Sequence, residues 1–153
     1  MSSFRGQFDY SIILGQQTII SLAGSAYSPQ LLLERYHQQG ISFLEPLRGG
    51  FALLLSDFSQ QVYYLVRDKV GVAPLYYATR QQRLFYSQNL KDFSQIFGFT
   101  FEVDSEGLAD FLLPGKNPNP DLRITSFKNI FSIKPGHYLK ITPGNIQEIE
   151  YWD

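Results

Sequence analysis

Two histidines are the only side chains in this sequence whose ordinary pKa suits proton transfer near neutral pH. A Ser-His-Asp triad would need His37 or His137, and two histidines cannot build a histidine-rich metal site. His37 falls on a predicted helix, and His137 follows Pro135-Gly136 at the start of a predicted strand. We therefore interpret both histidines as structural residues rather than catalytic ones.

Asp57 and Asp68 lie at comparable ends of two successive predicted strands and form a second candidate group. Two neighbouring carboxylates can share a proton or hold a cation. The alternative is turn chemistry, because aspartate oxygens accept hydrogen bonds from backbone N–H groups where a strand ends. We favour the turn interpretation, since Asp68 stands directly before the tight turn Lys69-Val70-Gly71.

Several kinds of chemistry are excluded by residues that the sequence lacks. It contains no cysteine, so disulfides, thiolate metal sites and a cysteine nucleophile are ruled out together. The phosphate-binding patterns GxGxxG and GxxxxGK[ST] are absent. A net charge of -1 favours neither nucleic acid nor an anionic membrane as a partner. The longest apolar run, FALLL, is far shorter than the ~20 residues of a membrane helix, and no leader pattern precedes it, so we expect a cytoplasmic protein.

A mixture of helices and strands must position these residues. Residues 17–22 are apolar and β-branched, which predicts a strand that ends at Ala23-Gly24. Ser28 before Pro29 is typical of a helix N-cap followed by a first-turn proline. Apolar spacing predicts helices at residues 29–39, 88–96 and 105–113.

The middle of the chain has the period of β-strands. FALLLSDF and VYYLVRD, then PLYYAT and RLFYS, are separated by polar turns and predict a four-stranded antiparallel meander over residues 51–87. FALLL is apolar at every position, so both faces of that strand should be covered by other layers. A last hairpin is predicted from residues 136–142 and 146–152, with its turn at Pro143-Gly144. Sheets flanked by helices place the chain in the α+β class.

The length of 153 residues fits one globular domain, and 44% hydrophobic residues supply enough material for a packed core. Residues 1–16 form a divergent N-terminal segment, residues 114–123 a loop rich in Pro and Asn, and residues 124–153 a segment that ends in the hairpin. We therefore expect residues 1–153 to fold as a single domain.

An ordered set of motifs gives the strongest functional indication. ERYHQQG, FLEPLRGGFALLLSDF, YYLVRDKVGVAPLYYA, LFYSQNLKDF and NIFSIKPGHYLKI, followed by EYWD, resemble in order the glutamine amidotransferase domain of asparagine synthetases. The resemblance spans roughly residues 17–153. It implies the N-terminal-nucleophile (Ntn) hydrolase fold, a sandwich of two antiparallel β-sheets flanked by helices, here with a truncated N-terminal part. The positions with architectural counterparts in the family are Gly49, Phe51, Asp57, Arg67, Asp68, Gly71, Pro74, Tyr76, Tyr77, Pro135 and Gly136.

The resemblance also implies a glutaminase site, from which this sequence departs. In the family an N-terminal cysteine attacks the glutamine amide, its α-amino group serves as the base, and an Asn-Gly pair supplies the oxyanion hole. If residues 23–28, AGSAYS, correspond to the family's N-G-E-I-Y-N, then Gly24 and Tyr27 are retained and Ala23 replaces the asparagine. The aspartate that binds the glutamine α-amino group would fall near Ser28. We therefore assign no catalytic residue and regard Ala23, Gly24 and Tyr27 as a remnant of the glutamine site.

The resulting hypothesis is a glutaminase-dead domain, not catalytic by itself. It would serve as a structural or substrate-presenting partner of an ATP-dependent, asparagine-synthetase-type amide-forming domain or subunit. Lasso-peptide cyclases and β-lactam synthetases contain similar degenerate domains, which makes a precursor peptide a further candidate partner. ATP and Mg would be bound by the synthetase alone, and this domain would hold neither cofactor nor metal. EYWD stands where the family passes into its synthetase domain, so we expect such a domain to be linked or encoded separately.

Two alternatives come from other functional classes. The first is an active glutamine hydrolase in which removal of the initiator methionine exposes Ser2 as an N-terminal nucleophile. The second is a stand-alone adaptor whose aromatic surface binds a peptide. A sheet that lacks its first strand would also leave an open edge, which a homo-oligomer or a synthetase complex would cover. Residues 4–16 could replace that strand, because Phe4, Phe8 and Tyr10 fall on one face of an extended chain.

Overall fold

The structure is a computed structural model, and it describes residues 4–10, 18–24 and 27–153. Its elements follow one another as β1 (Arg5–Asp9), β2 (Thr18–Ala23), α1 (Pro29–Gln39), a 3₁₀ helix (Gly40–Leu44), β3 (Ala52–Asp57), β4 (Val62–Arg67), β5 (Tyr76–Arg80), β6 (Arg83–Ser87), α2 (Asp92–Gln95), α3 (Ser105–Leu112), β7 (Phe131–Ser132), β8 (His137–Thr142) and β9 (Asn145–Glu150). The strands form a four-stranded sheet in the order β1-β6-β5-β7 and a five-stranded sheet in the order β2-β3-β4-β8-β9. All strand pairs are antiparallel.

The FALLL segment leads into β3, an interior strand of the five-stranded sheet, which is buried on both faces as its composition predicts. Ala52 and Leu54 belong to the core between the two sheets. Leu53 and Leu55 point to the opposite face, where they pack in a core shared with α1. Because neighbouring residues of a strand face opposite sides, two separate cores are needed to bury one run of apolar residues.

Helix α1 covers the outer face of the five-stranded sheet, and its start is the one predicted. The Ser28 hydroxyl accepts a hydrogen bond from the N–H of Leu31 at 3.2 Å, and Pro29 occupies the first turn. Leu32 and Tyr36, one turn apart, face the core. These positions confirm the helix predicted over residues 29–39.

The outer face of the four-stranded sheet is covered by an aromatic cluster. Ala78 and Phe85 of the sheet contact Phe93, Phe97 and Ile130. The layers are therefore helix, five-stranded sheet, four-stranded sheet, and a cover of short helices and loops. This arrangement confirms the predicted α+β sandwich of two antiparallel sheets.

The N-terminal residues add a strand to the four-stranded sheet. β1 pairs along its whole length with β6, from Arg5 opposite Ser87 to Asp9 opposite Arg83. Phe4 and Tyr10 are buried in the core between the sheets, and Phe8 packs against it. The even spacing of these aromatic residues thus corresponds to one face of a strand, as the sequence indicated.

The predicted four-stranded meander is wrong in its sheet assignment. Both hairpins form, but β3 and β4 belong to the five-stranded sheet, whereas β5 and β6 belong to the other sheet. The segment between Arg67 and Tyr76 crosses from one sheet to the other, and β8 takes the place beside β4 that the meander would give to β5. Strand periodicity records which residues alternate, and it contains no information on which distant strand becomes the neighbour.

Two further predictions need correction, and one is confirmed. Helix α2 spans only Asp92–Gln95 within the predicted 88–96, because the Ser87 hydroxyl accepts the N–H of Asn89 and the preceding residues form turns. Asp57 is the last residue of β3 and Asp68 directly follows β4. Because these neighbouring strands are antiparallel, the two aspartates lie at opposite ends of the five-stranded sheet. The last hairpin, in contrast, turns at Pro143-Gly144 as predicted.

In the part of the chain that the structure describes, every helix is too short or too polar to cross a membrane.

Candidate functional site

Ala23 and Gly24 lie at the end of β2, where the resemblance places the oxyanion hole. Ala23 pairs with Ala52 of β3, and its methyl group packs against the core between the sheets. Gly24 has a φ of +79°, and a Cβ atom there would lie 3.2 Å from the carbonyl oxygen of Gly50. The close backbone approach is therefore retained, but the side chain at position 23 offers no hydrogen-bond donor.

Tyr27 completes the remnant, Ser28 lies near the position expected for the aspartate, and both make local contacts. The Tyr27 hydroxyl accepts a hydrogen bond from the N–H of Arg48 at 3.0 Å, and the Arg35 guanidinium lies 5.8 Å from the centre of the Tyr27 ring. Ser28 caps α1 through its contact with Leu31. These side chains hold the loop around the start of α1 in place. The candidate nucleophile Ser2 lies outside the described residues.

Asp68 is fully buried and organises the turn between the two sheets. One carboxylate oxygen accepts the N–H groups of Val70 and Val72 at 3.2 and 3.0 Å, and the other accepts that of Ala73 at 2.8 Å. The Asp68 carbonyl oxygen accepts the N–H of Gly136 at 2.9 Å. The predicted turn chemistry of Asp68 is thus confirmed.

Arg67 links this turn to the segment that precedes β8. Its guanidinium donates to the carbonyl oxygens of Ala73, Ile133 and Gly71 at 3.0, 2.7 and 3.0 Å, and to the Ser132 hydroxyl at 3.1 Å. Burial lowers the pKa of Arg67, while Tyr76 and Asp68 act in the opposite direction. A guanidinium has five N–H groups, and here four hydrogen bonds go to protein oxygens, so one N–H remains for a ligand.

The Pro135-Gly136 pair brings the end of the chain onto this turn. Gly136 has a φ of +69°, and a Cβ atom there would come within 2.6 Å of the Trp152 carbonyl oxygen. Tyr151 donates its backbone N–H to Gly136 at 2.9 Å and its hydroxyl to the Arg67 carbonyl oxygen at 2.7 Å. The remaining family positions lie in the same region or on the sheets: Gly49 and Phe51 before β3, Gly71 and Pro74 in the turn, and Tyr76 and Tyr77 on β5.

Asp57 has a similar structural environment at the other end of the sheet. The Tyr36 hydroxyl donates to one carboxylate oxygen at 2.6 Å, and Ser59 and the N–H of Gln60 donate to the other at 2.7 and 3.1 Å. Burial alone would raise the pKa of Asp57, but the hydrogen bonds outweigh it and hold the pKa below the ordinary value of 3.8. In the described ranges no group of three or more acidic, histidine or cysteine side chains could hold a metal ion.

The histidines also match their structural interpretation. The Nδ1 atom of His137 lies 2.8 Å from the Pro135 carbonyl oxygen and so orients the start of β8. His37 is exposed on α1, with its ring centre 6.1 Å from that of Tyr36. The structure does not bring either histidine to Asp57 or Asp68 by any hydrogen bond among the described residues.

One concave site was missed by the sequence analysis. A cavity of about 540 Å³ lies between α3, the Pro- and Asn-rich loop, and the edge of the four-stranded sheet. Its lining includes Phe111, Leu122, Ile124, Asp110 and Asp121. The loop composition was visible in the sequence, but the cavity depends on how the loop folds back over α3.

The sandwich of two antiparallel sheets has the architecture of an Ntn-type hydrolase domain. The fold resembles that of the solved glutamine phosphoribosylpyrophosphate amidotransferase from B. subtilis, with a TM-score of 0.58 and 11% identity over 95% of this chain and 31% of the other. At that identity the likeness shows the fold alone.

The chain belongs to the glutamine amidotransferase domain family, whose model matches residues 25–152. Its relatives include amidase chry2 of Gibberella zeae, at 32% identity over 81% of this chain and 18% of the relative, and amidase chyE of Penicillium rubens, at 33% over the same shares. An asparagine synthetase [glutamine-hydrolyzing] 2 of Bacillus subtilis is 28% identical over 80% of this chain and 17% of the relative. The chain thus spans about a fifth of the length of these relatives.

Proposed function

We propose that this chain is a glutaminase-dead amidotransferase domain that acts as a structural or substrate-presenting partner of an ATP-dependent, asparagine-synthetase-type amide-forming domain or subunit. The observation that carries the proposal is the geometry at Ala23. Its methyl group packs into the core at the position where the oxyanion donor is expected. A tetrahedral intermediate would therefore lose a side-chain donor whose removal from such a hole typically costs about 10²–10³-fold in rate.

The composition and the remnant residues support the same proposal. The 153 residues contain no cysteine to act as the nucleophile. Ser28 caps α1 instead of binding an α-amino group, and the Tyr27 hydroxyl accepts a backbone N–H. The polar groups of Tyr27 and Ser28 thus have structural partners.

The relatives support a synthetase as the partner. Asparagine synthetases of which this chain matches 17 to 20% carry far more chain than a glutaminase domain needs. We propose that the corresponding synthetase domain or subunit binds ATP and Mg and forms the amide bond, in the cytoplasm. Where the amine is supplied by a substrate rather than by ammonia, the amidotransferase domain is free to lose its own chemistry.

Glutamine turnover and glutamine binding test the loss of activity. Purified protein should release no ammonia from glutamine above the buffer rate, and millimolar glutamine should leave the melting temperature unchanged, because a ligand specific for the native state must raise it. A glutaminase of known activity provides the positive control for both measurements. Turnover that disappears in Ser2→Ala would instead establish the alternative hydrolase, and a saturable rise in melting temperature would show that the glutamine pocket survives.

Association with a synthetase tests the partner. The chain should co-purify with an asparagine-synthetase-type domain encoded with it or following it, and should increase amide formation by that domain without added glutamine. Amide formation at the same rate with and without this chain would contradict the proposed role.

A further inference from the structure

The cavity beside α3 has walls that are fixed by backbone contacts. Gly107 of α3 lies against the 124–125 segment so closely that a Cβ atom would come within 1.9 Å of the Thr125 carbonyl oxygen. The N–H of Asp104 donates to the Ser126 carbonyl oxygen at 2.9 Å. The Thr125 hydroxyl donates to the Ile130 carbonyl oxygen at 2.7 Å. The cavity is therefore preformed, as ligand pockets usually are.

The loop that closes the cavity is also internally braced. The N–H of Asn119 donates to the Asn117 side-chain oxygen at 3.1 Å, and that of Ile124 donates to the Asp121 carbonyl oxygen at 3.0 Å. Its prolines at 114, 118 and 120 restrict the backbone further. A volume of about 540 Å³ can accommodate a large side chain together with part of its neighbour.

The rim of the cavity continues as an exposed apolar surface. Phe111, Leu112 and Leu122 are 75%, 62% and 57% exposed. Phe111 and Leu122 line the cavity itself. Apolar side chains so exposed and so close together mark a binding surface more often than single scattered ones do. A ligand that extends beyond the cavity would bury this rim, which favours a peptide over a small molecule.

The charges in the lining differ in how they are compensated. Arg123 donates to both carboxylate oxygens of Asp121 at 3.0 and 2.7 Å, and this pairing lowers the pKa of Asp121 to about 2. Asp110 instead accepts a hydrogen bond from the neutral side chain of Asn117 at 3.3 Å. In the described part of the chain no cation forms an ion pair with Asp110. Asp110 is therefore the carboxylate of the lining that no ion pair compensates, and it shares the cavity with apolar side chains such as Phe111 and Leu122.

We propose that this cavity binds a peptide segment in which an aliphatic or aromatic residue is followed by lysine or arginine. The apolar side chain fills the space between Phe111, Leu122 and Ile124, and the cationic side chain pairs with Asp110. The inference extends the substrate-presenting part of the proposed function, because such a cavity would hold a peptide next to an amide-forming partner. It rests on that proposed function for its biological meaning, but binding itself is a property of this chain.

Capped dipeptides of matched size provide the test. We would titrate the ¹⁵N-labelled protein with acetyl-Phe-Lys-amide, acetyl-Phe-norleucine-amide and acetyl-Phe-Glu-amide, and follow the amide signals of Gly107 and Gly115. The lysine peptide should bind about fivefold more tightly than the norleucine peptide, and the glutamate peptide should bind most weakly. Shifts should be centred on the cavity.

Variants separate the charge from the apolar contact. Asp110→Asn should weaken binding of the lysine peptide to the level of the norleucine peptide while leaving the latter unchanged. Leu122→Ser should weaken both by about fivefold, because both lose the same apolar contact. Glu106→Gln is the matched control, since it removes one negative charge from an exposed position of α3 outside the cavity lining and should change neither.

Equal affinity for the three peptides, or no shift around the cavity at millimolar concentration, would overturn the inference. Loss of lysine-peptide preference in Glu106→Gln as much as in Asp110→Asn would also overturn it, because the preference would then come from the general field of the protein. None of these outcomes depends on ammonia release from glutamine. Failure here is therefore distinguishable from failure of the proposed loss of glutaminase activity.

Discussion

Two charged residues, the buried Asp68 and the half-buried Arg67, bind the backbone of this chain. Asp68 accepts three backbone N–H groups of the turn that follows it, and Arg67 donates to the carbonyl oxygens of that turn and to that of Ile133 before β8. Burial of an ion is costly unless hydrogen bonds compensate it, and here groups of the turn and of the segment before β8 supply those bonds. Residues that match an enzyme family's motif can therefore be retained for the architecture of the fold, without any part in the reaction.

The local bonds of single residues could be predicted from the sequence, but contacts between distant residues could not. An aspartate directly before Lys69-Val70-Gly71 predicts turn chemistry because the bonds are local. The environment of Asp110 could not be predicted, because the cavity is formed by residues of α3 and of a loop that folds back on it. The close approach at Gly107 is likewise invisible in the sequence, since a glycine inside a helix indicates only that something small is tolerated.

Tyr36→Phe tests the hydrogen bond that α1 makes with Asp57. The change removes the 2.6 Å contact, and near neutral pH it should destabilise the protein by about 1–3 kcal/mol because the acceptor is charged and buried. The pKa of Asp57 is lowered in the folded protein, so the stability it contributes is present above its ordinary value of 3.8 and is lost as the pH falls through the still lower folded value. The variant should therefore differ most from the wild type at pH 6 to 7 and least below about pH 3.

Urea unfolding of the two proteins between pH 3 and pH 7 provides the measurement. Ser42→Ala, which removes an exposed hydroxyl that bonds to the Gln39 carbonyl oxygen, should change stability equally at every pH. A Tyr36→Phe effect that is constant over this range would mean that the phenol stabilises the protein through packing alone.

At the scale of elements, local patterns predicted the hairpins and α1 but could not assign hairpins to sheets. The β3–β4 and β5–β6 pairs both follow from alternation and polar turns. The pairing of β4 with β8 joins residues more than 70 positions apart, such as Tyr64 and Lys140. Only the fully apolar FALLL segment indicated a second layer, because one helical cover on one side of a sheet could not bury both faces of that strand. No comparable pattern in the sequence marks the segment between Arg67 and Tyr76 as the place where the chain crosses from one sheet to the other.

Leu54→Asp tests whether β3 is an interior strand that is buried on both faces. Leu54 lies in the core between the sheets and is 9% exposed, so an aspartate there would be a buried and unpaired charge. We expect loss of soluble expression, or destabilisation of at least about 4 kcal/mol, which is exceptional for one substitution. Ile19→Asp on the edge strand β2, at a position 49% exposed, is the matched control and should remain folded. A soluble and cooperatively folding Leu54→Asp protein would be incompatible with the two-sided burial.

At the scale of the whole molecule, the two sheets depend on one shared core. Residues of β1 and β6 pack with residues of β3, β4 and β8 in a single cluster between the sheets. Arg5 and Asp92 form an ion pair at 3.1 Å that links β1 to the cover of the four-stranded sheet. Neither sheet buries its inner face without the other, which is the physical basis for expecting residues 1–153 to unfold as one domain.

Phe4→Ala tests that expectation at the far edge of the shared core. Phe4 is 9% exposed and its ring centre lies 5.2 Å from that of Tyr86, so the truncation should cost about 3 kcal/mol. The single tryptophan, Trp152, contacts the turn at the end of the five-stranded sheet, whereas hydrogen exchange of β6 reports the other sheet. One cooperative unit unfolds as a whole, so all probes report the same change. The free energy of unfolding measured by tryptophan fluorescence and that measured by hydrogen exchange of β6 should therefore fall by the same amount in the variant.

Gln7→Ala, on the exposed face of β1, is the control and should change the free energy of unfolding measured by either probe by no more than about 0.5 kcal/mol. A Phe4→Ala protein in which β6 exchanges faster while the Trp152 transition is unmoved would show that the sheets are separate folding units.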